Sequence, residues 1–125
     1  VQSRNGAANF GFVFVDSTFS SDPGIVGHYL ARIEADRFPD SHVAYIDCRL
    51  GEHVLPQGWL GSGAPAELTT LRFWEYQSTT LDGTPVDVSA RHALSRQLTA
   101  DEAAAMRDKP GIDRRQRIPG TPRRN

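Results

Sequence analysis

The side chains able to do chemistry in this chain are few and scattered. Arg32 lies in His28-Tyr29-Leu30-Ala31-Arg32-Ile33. Strand alternation there puts Tyr29, Ala31 and Ile33 on one face and Leu30 and Arg32 on the other. A guanidinium on an ordered strand can hold a carboxylate bidentately, including that of an acidic sugar. On periodicity alone a solvated surface arginine is the alternative. Asp16 and Asp47 occur in equivalent surroundings and are expected to stack, which would raise one pKa and create an acid/base pair. The plainer reading is a pair of corner residues, since Asp readily bonds to its own turn. Ser62, in Gly61-Ser62-Gly63-Ala64-Pro65, lacks the strand-turn-helix context of a nucleophile elbow. His28, His42, His53 and His92 show no i, i+4 pair, so structural roles are favoured over metal ligation. No phosphate-cradling glycine loop or aromatic-basic alternation is present.

Short strands separated by long polar connections must position these residues. Phe10–Val15, His28–Ile33, Val43–Ile46 and Leu71–Tyr76 carry the β-branched and aromatic residues that suit a pleated surface. Gly and Pro punctuate the gaps, as at Pro23-Gly24, Gly58 and Asp82-Gly83. Phe12-Val13-Phe14-Val15-Asp16-Ser17-Thr18-Phe19 repeats, 31 residues on, as Val43-Ala44-Tyr45-Ile46-Asp47-Cys48-Arg49-Leu50. A strand that ends in Asp and a small residue suits a unit that turns a corner and stacks on its neighbour, the logic of a β-solenoid. A β-sandwich is the alternative, disfavoured because no two-residue hairpin turn joins adjacent strands. Cys48 aligns with Ser17 and reads as a small buried corner residue. One helix is signalled by the capping box Thr99-Ala100-Asp101-Glu102, followed by Ala103–Met106 and stopped at Lys109-Pro110. It should pack on the end of the strand stack.

With 125 residues, 38% of them hydrophobic and 23% charged, the chain has the composition of one ordinary globular unit. A single cysteine excludes an internal disulfide, and no apolar run is long enough to span a bilayer. The net charge of −1 hides an asymmetry: residues 107–125 hold seven basic groups against Asp108 and Asp113, a balance of +5, and residues 1–106 carry −6. The division expected is a packed part over 1–108 and a basic Pro/Gly/Arg-rich tail over 109–125, read as disordered. Starting at Val1, without Met or a signal-peptide pattern, the chain reads as a fragment or a processed product.

Several stretches, in order, resemble the pectinesterases, the pectin methylesterases of bacteria, fungi and plants. They are Gly11-Phe12-Val13-Phe14, Tyr29-Leu30-Ala31-Arg32, Val43-Ala44-Tyr45-Ile46-Asp47-Cys48, Gly51-Glu52-His53-Val54-Leu55-Pro56-Gln57-Gly58-Trp59 and Phe73-Trp74-Glu75-Tyr76. Leu81–Arg91 and Ser95–Thr99 look like the microbial branch, and the similarity covers about residues 1–108. The resemblance implies the C-terminal part of a right-handed parallel β-helix, here incomplete, all-β apart from one short C-terminal helix. It implies hydrolysis of galacturonate methyl esters in pectin to methanol and pectate, without metal or organic cofactor. In that family one aspartate attacks the ester, a second is the acid/base, glutamines stabilise the oxyanion, and an arginine holds the nucleophile ionised. The aspartates and glutamines belong to segments preceding the matched one, so Arg32 is the only catalytic residue carried over, and the chain alone is expected to be inactive. The substrate is pectin or polygalacturonate, with neither nucleic acid nor membrane as partner. The complete protein is expected to be a secreted or periplasmic monomer.

The chain departs from the family where Leu-Gly-Arg-Pro-Trp is replaced by Leu30-Ala31-Arg32-Ile33-Glu34, so the substrate-stacking tryptophan is missing. Trp59 and Trp74 read as packing residues. The departure opens a second reading, a non-catalytic β-solenoid that binds acidic polysaccharide through Arg32, Arg37 and the arginine tail.

Overall fold

The computed structural model describes residues 1–62 and 70–109. The tail from 110 on, like the segment after Ser62, lies outside the described residues. The chain forms β1 (Phe12–Val15), β2 (Thr18–Phe19), β3 (Ala31–Glu34), β4 (His42–Ile46), β5 (Arg49–Leu50), β6 (Trp59–Ser62), β7 (Arg72–Tyr76), β8 (Thr79–Thr80), β9 (Arg96–Gln97) and α1 (Ala100–Arg107). Every pairing between these strands is parallel, in the orders β1-β4-β7-β9, β2-β5-β8 and β3-β6. The architecture is thus mostly strands in parallel sheets, with one short helix.

The repeat read from the sequence is real in space and extends further than the sequence suggested. Phe12 pairs with Val43 and Val43 with Phe73, so Phe73–Thr80 is a third copy, spaced 30 residues from the second. In all three copies the residue after the long strand has left-handed backbone: Asp16 (φ 53°), Asp47 (φ 54°) and Gln77 (φ 52°). Asp tolerates that conformation better than most L-residues, which explains its use at two corners. Gln77 concealed the third copy from the sequence reading.

Alternation sorts the first sheet into two buried faces. Inward, Val43, Tyr45 and Phe73 join Ile33, Leu50 and Trp59 in the main core, with Phe14 packed against them. Trp59 is fully buried and stands edge-on to Tyr45 at 5.9 Å and to Phe73 at 5.6 Å, a packing role as expected. Outward, Ile46 with Val13, Val15, Trp74 and Tyr76 meets Ala103 and Met106 of α1. The helix therefore lies across the face of β1, β4 and β7, not on the end of the stack as expected. The outward apolar residues of three consecutive strands need a cover, and the small Ala face with one Met fits close to them. Its capping box is formed as read: the Thr99 side chain accepts from the Glu102 N–H, and Glu102 accepts from the Thr99 N–H.

Glu75 stands where Phe14 and Tyr45 stand in the earlier copies, and its side chain is fully buried. Arg91 meets it bidentately, Nε and Nη2 each at 2.9 Å, while Ser78 Oγ and Gln97 Nε2 donate to the same carboxylate. Burial pushes the Glu75 pKa up, but the Arg91 hydrogen bonds and charge, with Ser78 and Gln97, outweigh it and hold the group below the ordinary carboxylate range.

Candidate functional site

Arg32 is placed by β3, whose alternation buries Ala31 and Ile33 and leaves Arg32 exposed. The strand is held on one side by pairing with β6, Arg32 opposite Leu60, and on the other by the Arg32 N–H donating to the Val1 carbonyl at 2.8 Å. The alternation expected from His28 onwards fails before Ala31. Leu30 is buried, Tyr29 is half-buried, and the strand proper begins only at Ala31. His28 instead makes an isolated parallel bridge to Val54, and the Leu30 carbonyl accepts from Tyr45 Oη at 2.6 Å. The Leu30 side chain packs in the main core.

The guanidinium of Arg32 lies 3.6 Å from a Glu34 carboxylate oxygen and donates at 3.4 Å to Gln2 Oε1. Both contacts are long, and neither is the bidentate clamp that arginine makes on a carboxylate it fully engages. Gln2 donates to Glu34 from one side, and Arg37 reaches Glu34 at 3.3 Å from the other. The Gln2 hydrogen bond, followed by the charges of Arg37 and Arg32, holds the Glu34 carboxyl below its ordinary range. Beside Arg32 is a shallow hollow of 390 Å³, lined by Gln2, His28, Tyr29 and Leu60 among others. Amide, imidazole, phenol and guanidinium together can hold a carboxylate or a sugar hydroxyl. Among the described residues, no aspartate faces Arg32 as a nucleophile would.

Arg32 and Arg37, named together in the binding reading, both reach Glu34. Asp16 and Asp47 are brought together elsewhere, at the corner between the first and second sheets. Arg107, in the last turn of α1, donates from Nη2 to Asp16 at 2.7 Å and from Nη1 to Asp47 at 2.9 Å. Burial raises the Asp47 pKa, Arg107 opposes that, and the charge of Asp16 adds to it. A guanidinium inserted between two stacked carboxylates keeps the pair as a structural tie; both residues sit at corners as read, but their carboxylates bond Arg107 rather than their own turns. Nothing in the sequence marked Arg107 as their partner.

Of the remaining candidates, His42, His92 and Cys48 make structural contacts. His42 is fully buried, its Nδ1 accepts from the Gly11 N–H at 2.9 Å, and burial, helped by Arg72, depresses its pKa to about 4. His92 Nδ1 accepts from the Leu94 N–H at 3.1 Å. His28 and His53 approach to 6.0 Å between ring centroids, and among the described residues no three potential ligands converge on one point. Cys48 is buried with its thiol directed at the Phe14 and Ile46 carbonyls, and burial pushes its pKa up to about 11, which leaves it unreactive. The Ser62 side chain lies outside the described residues. No protein-family model matches the chain, and no curated protein is significantly similar to it.

Proposed function

We propose that the chain is the C-terminal portion of a pectinesterase-like carbohydrate esterase, built as a right-handed parallel β-helix and acting on the galacturonate methyl esters of pectin. One observation supports this reading most: three copies of a strand-corner-strand unit pair in parallel with equivalent residues aligned, with Arg32 on the exposed face of a neighbouring parallel sheet. In the proposed reaction a preceding segment supplies a nucleophilic aspartate and an acid/base aspartate. The nucleophile adds to the ester carbonyl, the acid/base protonates the departing methoxide to methanol, and water then cleaves the acyl-enzyme to give pectate and a proton. The role of Arg32 is to hold the nucleophile ionised and oriented. The 125-residue chain, lacking those aspartates, would be inactive alone, and the whole protein would be secreted or periplasmic and need no cofactor.

A second reading is favoured by one specific feature. Glu34 sits where the family carries its stacking tryptophan and partly occupies Arg32. The missing tryptophan is what favours a non-catalytic solenoid binding acidic polysaccharide through Arg32 and Arg37, where Glu34 competes for both.

The coding sequence before Val1 and a methanol-release assay on its full product separate the two. The esterase reading expects two aspartate-bearing repeat units there, methanol release from methylated pectin, and a kcat loss of about a hundredfold or more in Arg32→Ala with KM little changed. Salt-sensitive binding of demethylated pectin without methanol release would replace it with the binding reading.

A further inference from the structure

Arg4 stands on an anchored stretch of chain beside β3. Ser3 before it is buried, and its carbonyl accepts from Ser41 Oγ at 2.7 Å. Asn5 after it accepts through Oδ1 from the His42 N–H at 3.0 Å. With both neighbours tied to the fold, the Arg4 side chain is left exposed on an ordered backbone. Arg37 is exposed on the turn that follows β3, where the Arg37 and Phe38 N–H groups both donate to the Glu34 carbonyl, at 3.3 and 2.9 Å. The two guanidiniums meet over the half-buried Phe38, each 5.0 Å from the centroid of its ring. They are therefore at most about 10 Å apart, within one Debye length at low salt, and act together on an anion. A guanidinium resting on an aromatic ring keeps its in-plane N–H donors for such a group. Arg32 adjoins the pair: Arg4 and Arg32 both donate to Gln2 Oε1 at 3.4 Å, and Arg32 and Arg37 both reach Glu34. Against the three arginines stand Glu34 and, one residue before Arg37, Asp36, which leaves a local excess of +1 where residues 1–106 carry −6 in all. A polyanion is repelled by the surface at large and attracted here.

We propose that Arg4 and Arg37, paired over Phe38, form a subsite for the free carboxylate of an unesterified galacturonate residue, next to the sugar held at Arg32. The inference rests on the pectin ligand that both functional readings share. Methylation of that carboxylate removes its charge and its two-oxygen acceptor geometry, so the subsite discriminates between esterified and free sugars by charge. In the esterase reading Arg32 is given to the nucleophilic aspartate, and the pair anchors the neighbouring sugar. In the binding reading all three arginines share the polysaccharide.

Arginine-selective modification by phenylglyoxal, mapped residue by residue in the full chain at submicromolar concentration, tests this. The probes are trigalacturonate, its methyl ester and a sulfated trisaccharide. Trigalacturonate should slow modification of Arg4 and Arg37 about fivefold at about four times its half-protecting concentration. The methyl ester should leave both rates unchanged, with Arg49 and Arg96, exposed on other strands, as internal controls. Arg4→Gln should raise the trigalacturonate concentration that half-protects Arg37 by about three- to fivefold. Arg37→Lys, which keeps the charge without the planar fork, should weaken protection of Arg4 by a smaller factor. Unchanged half-protection in both variants would overturn the inference. So would equal protection of Arg4 and Arg37 by the methyl ester, or protection of Arg32 or of the arginines beyond position 109 without them; each of these leaves the pectin reading standing. Protection by the sulfated trisaccharide and not by trigalacturonate would overturn both the inference and the pectin ligand on which it rests. Protection by none of the three probes would overturn the inference.

Discussion

Arg32 and Arg37 approach Glu34 from two sides, and Gln2 hydrogen-bonds it from a third direction. A substrate or enzyme carboxylate arriving at Arg32 must compete with that anion. Glu34→Gln should therefore tighten binding of demethylated pectin fragments by about three- to tenfold at low salt, with the gain lost in the Arg32→Ala background. Titration of fragments against both variants checks this, and unchanged affinity would remove Arg32 from the binding account. His42 supports a different measurement. Its folded pKa, about 4, lies below the ordinary 6.5 of an unfolded histidine. The unfolded chain therefore takes up the proton first. Stability from the neutral buried ring is fully present above about pH 6.5 and is lost as pH falls towards 4, by roughly 2–3 kcal/mol in all. The tightly held carboxylates Glu34 and Glu75, depressed below 4.5, act only at lower pH. A denaturation series from about pH 7 down to about pH 4.5 should show this slope, and His42→Gln should flatten it.

The element that repeats is the strand ending in a left-handed corner. At Asp16, Asp47 and Gln77 the backbone φ exceeds +50°, where a β-branched side chain meets its own carbonyl. Gln77→Val should cost about 1–2 kcal/mol by chemical denaturation, and Gln77→Asn should be close to neutral. If Gln77→Val were also neutral, the third corner would not be a strained position. The first two corners carry a further tie, because Arg107 joins their carboxylates to the last turn of α1. The helix and the corners that follow β1 and β4 are thereby connected at one point on the surface.

For the whole molecule, the exposed flank is β1. Among the described residues it pairs with β4 alone, and Phe12 within it and Phe10 just before it are 47% and 40% exposed. An unpaired parallel edge with aromatic side chains is a template for another strand. The 125-residue chain should self-associate at micromolar concentration, and Phe12→Lys should lower its light scattering severalfold. A monomer with sharp, reversible thermal unfolding would contradict this. In the proposed esterase the same edge receives the preceding repeat unit.

Local chemistry determined what could be read along the chain. The 31-residue repeat, the corner aspartates, the capped helix and the packing role of Trp59 depend on propensity, periodicity and turn conformation, which neighbouring residues set among themselves. The tertiary structure decided what depends on distant partners. Glu75 enters the core only because Arg91 and Gln97 return to it 16 and 22 residues later. Asp16 becomes one half of a tie only because Arg107 arrives from 91 residues away. Leu30 joins the main core while its carbonyl accepts from the Tyr45 hydroxyl, and α1 covers a sheet face because three strands present apolar residues outward together. Stacking brings such residues within hydrogen-bonding or van der Waals reach of one another, and no spacing along the sequence encodes that proximity. For Arg32 the residue type and its strand were legible, and the competition from Glu34 and Gln2 was not, because Gln2 approaches from a segment 30 residues earlier.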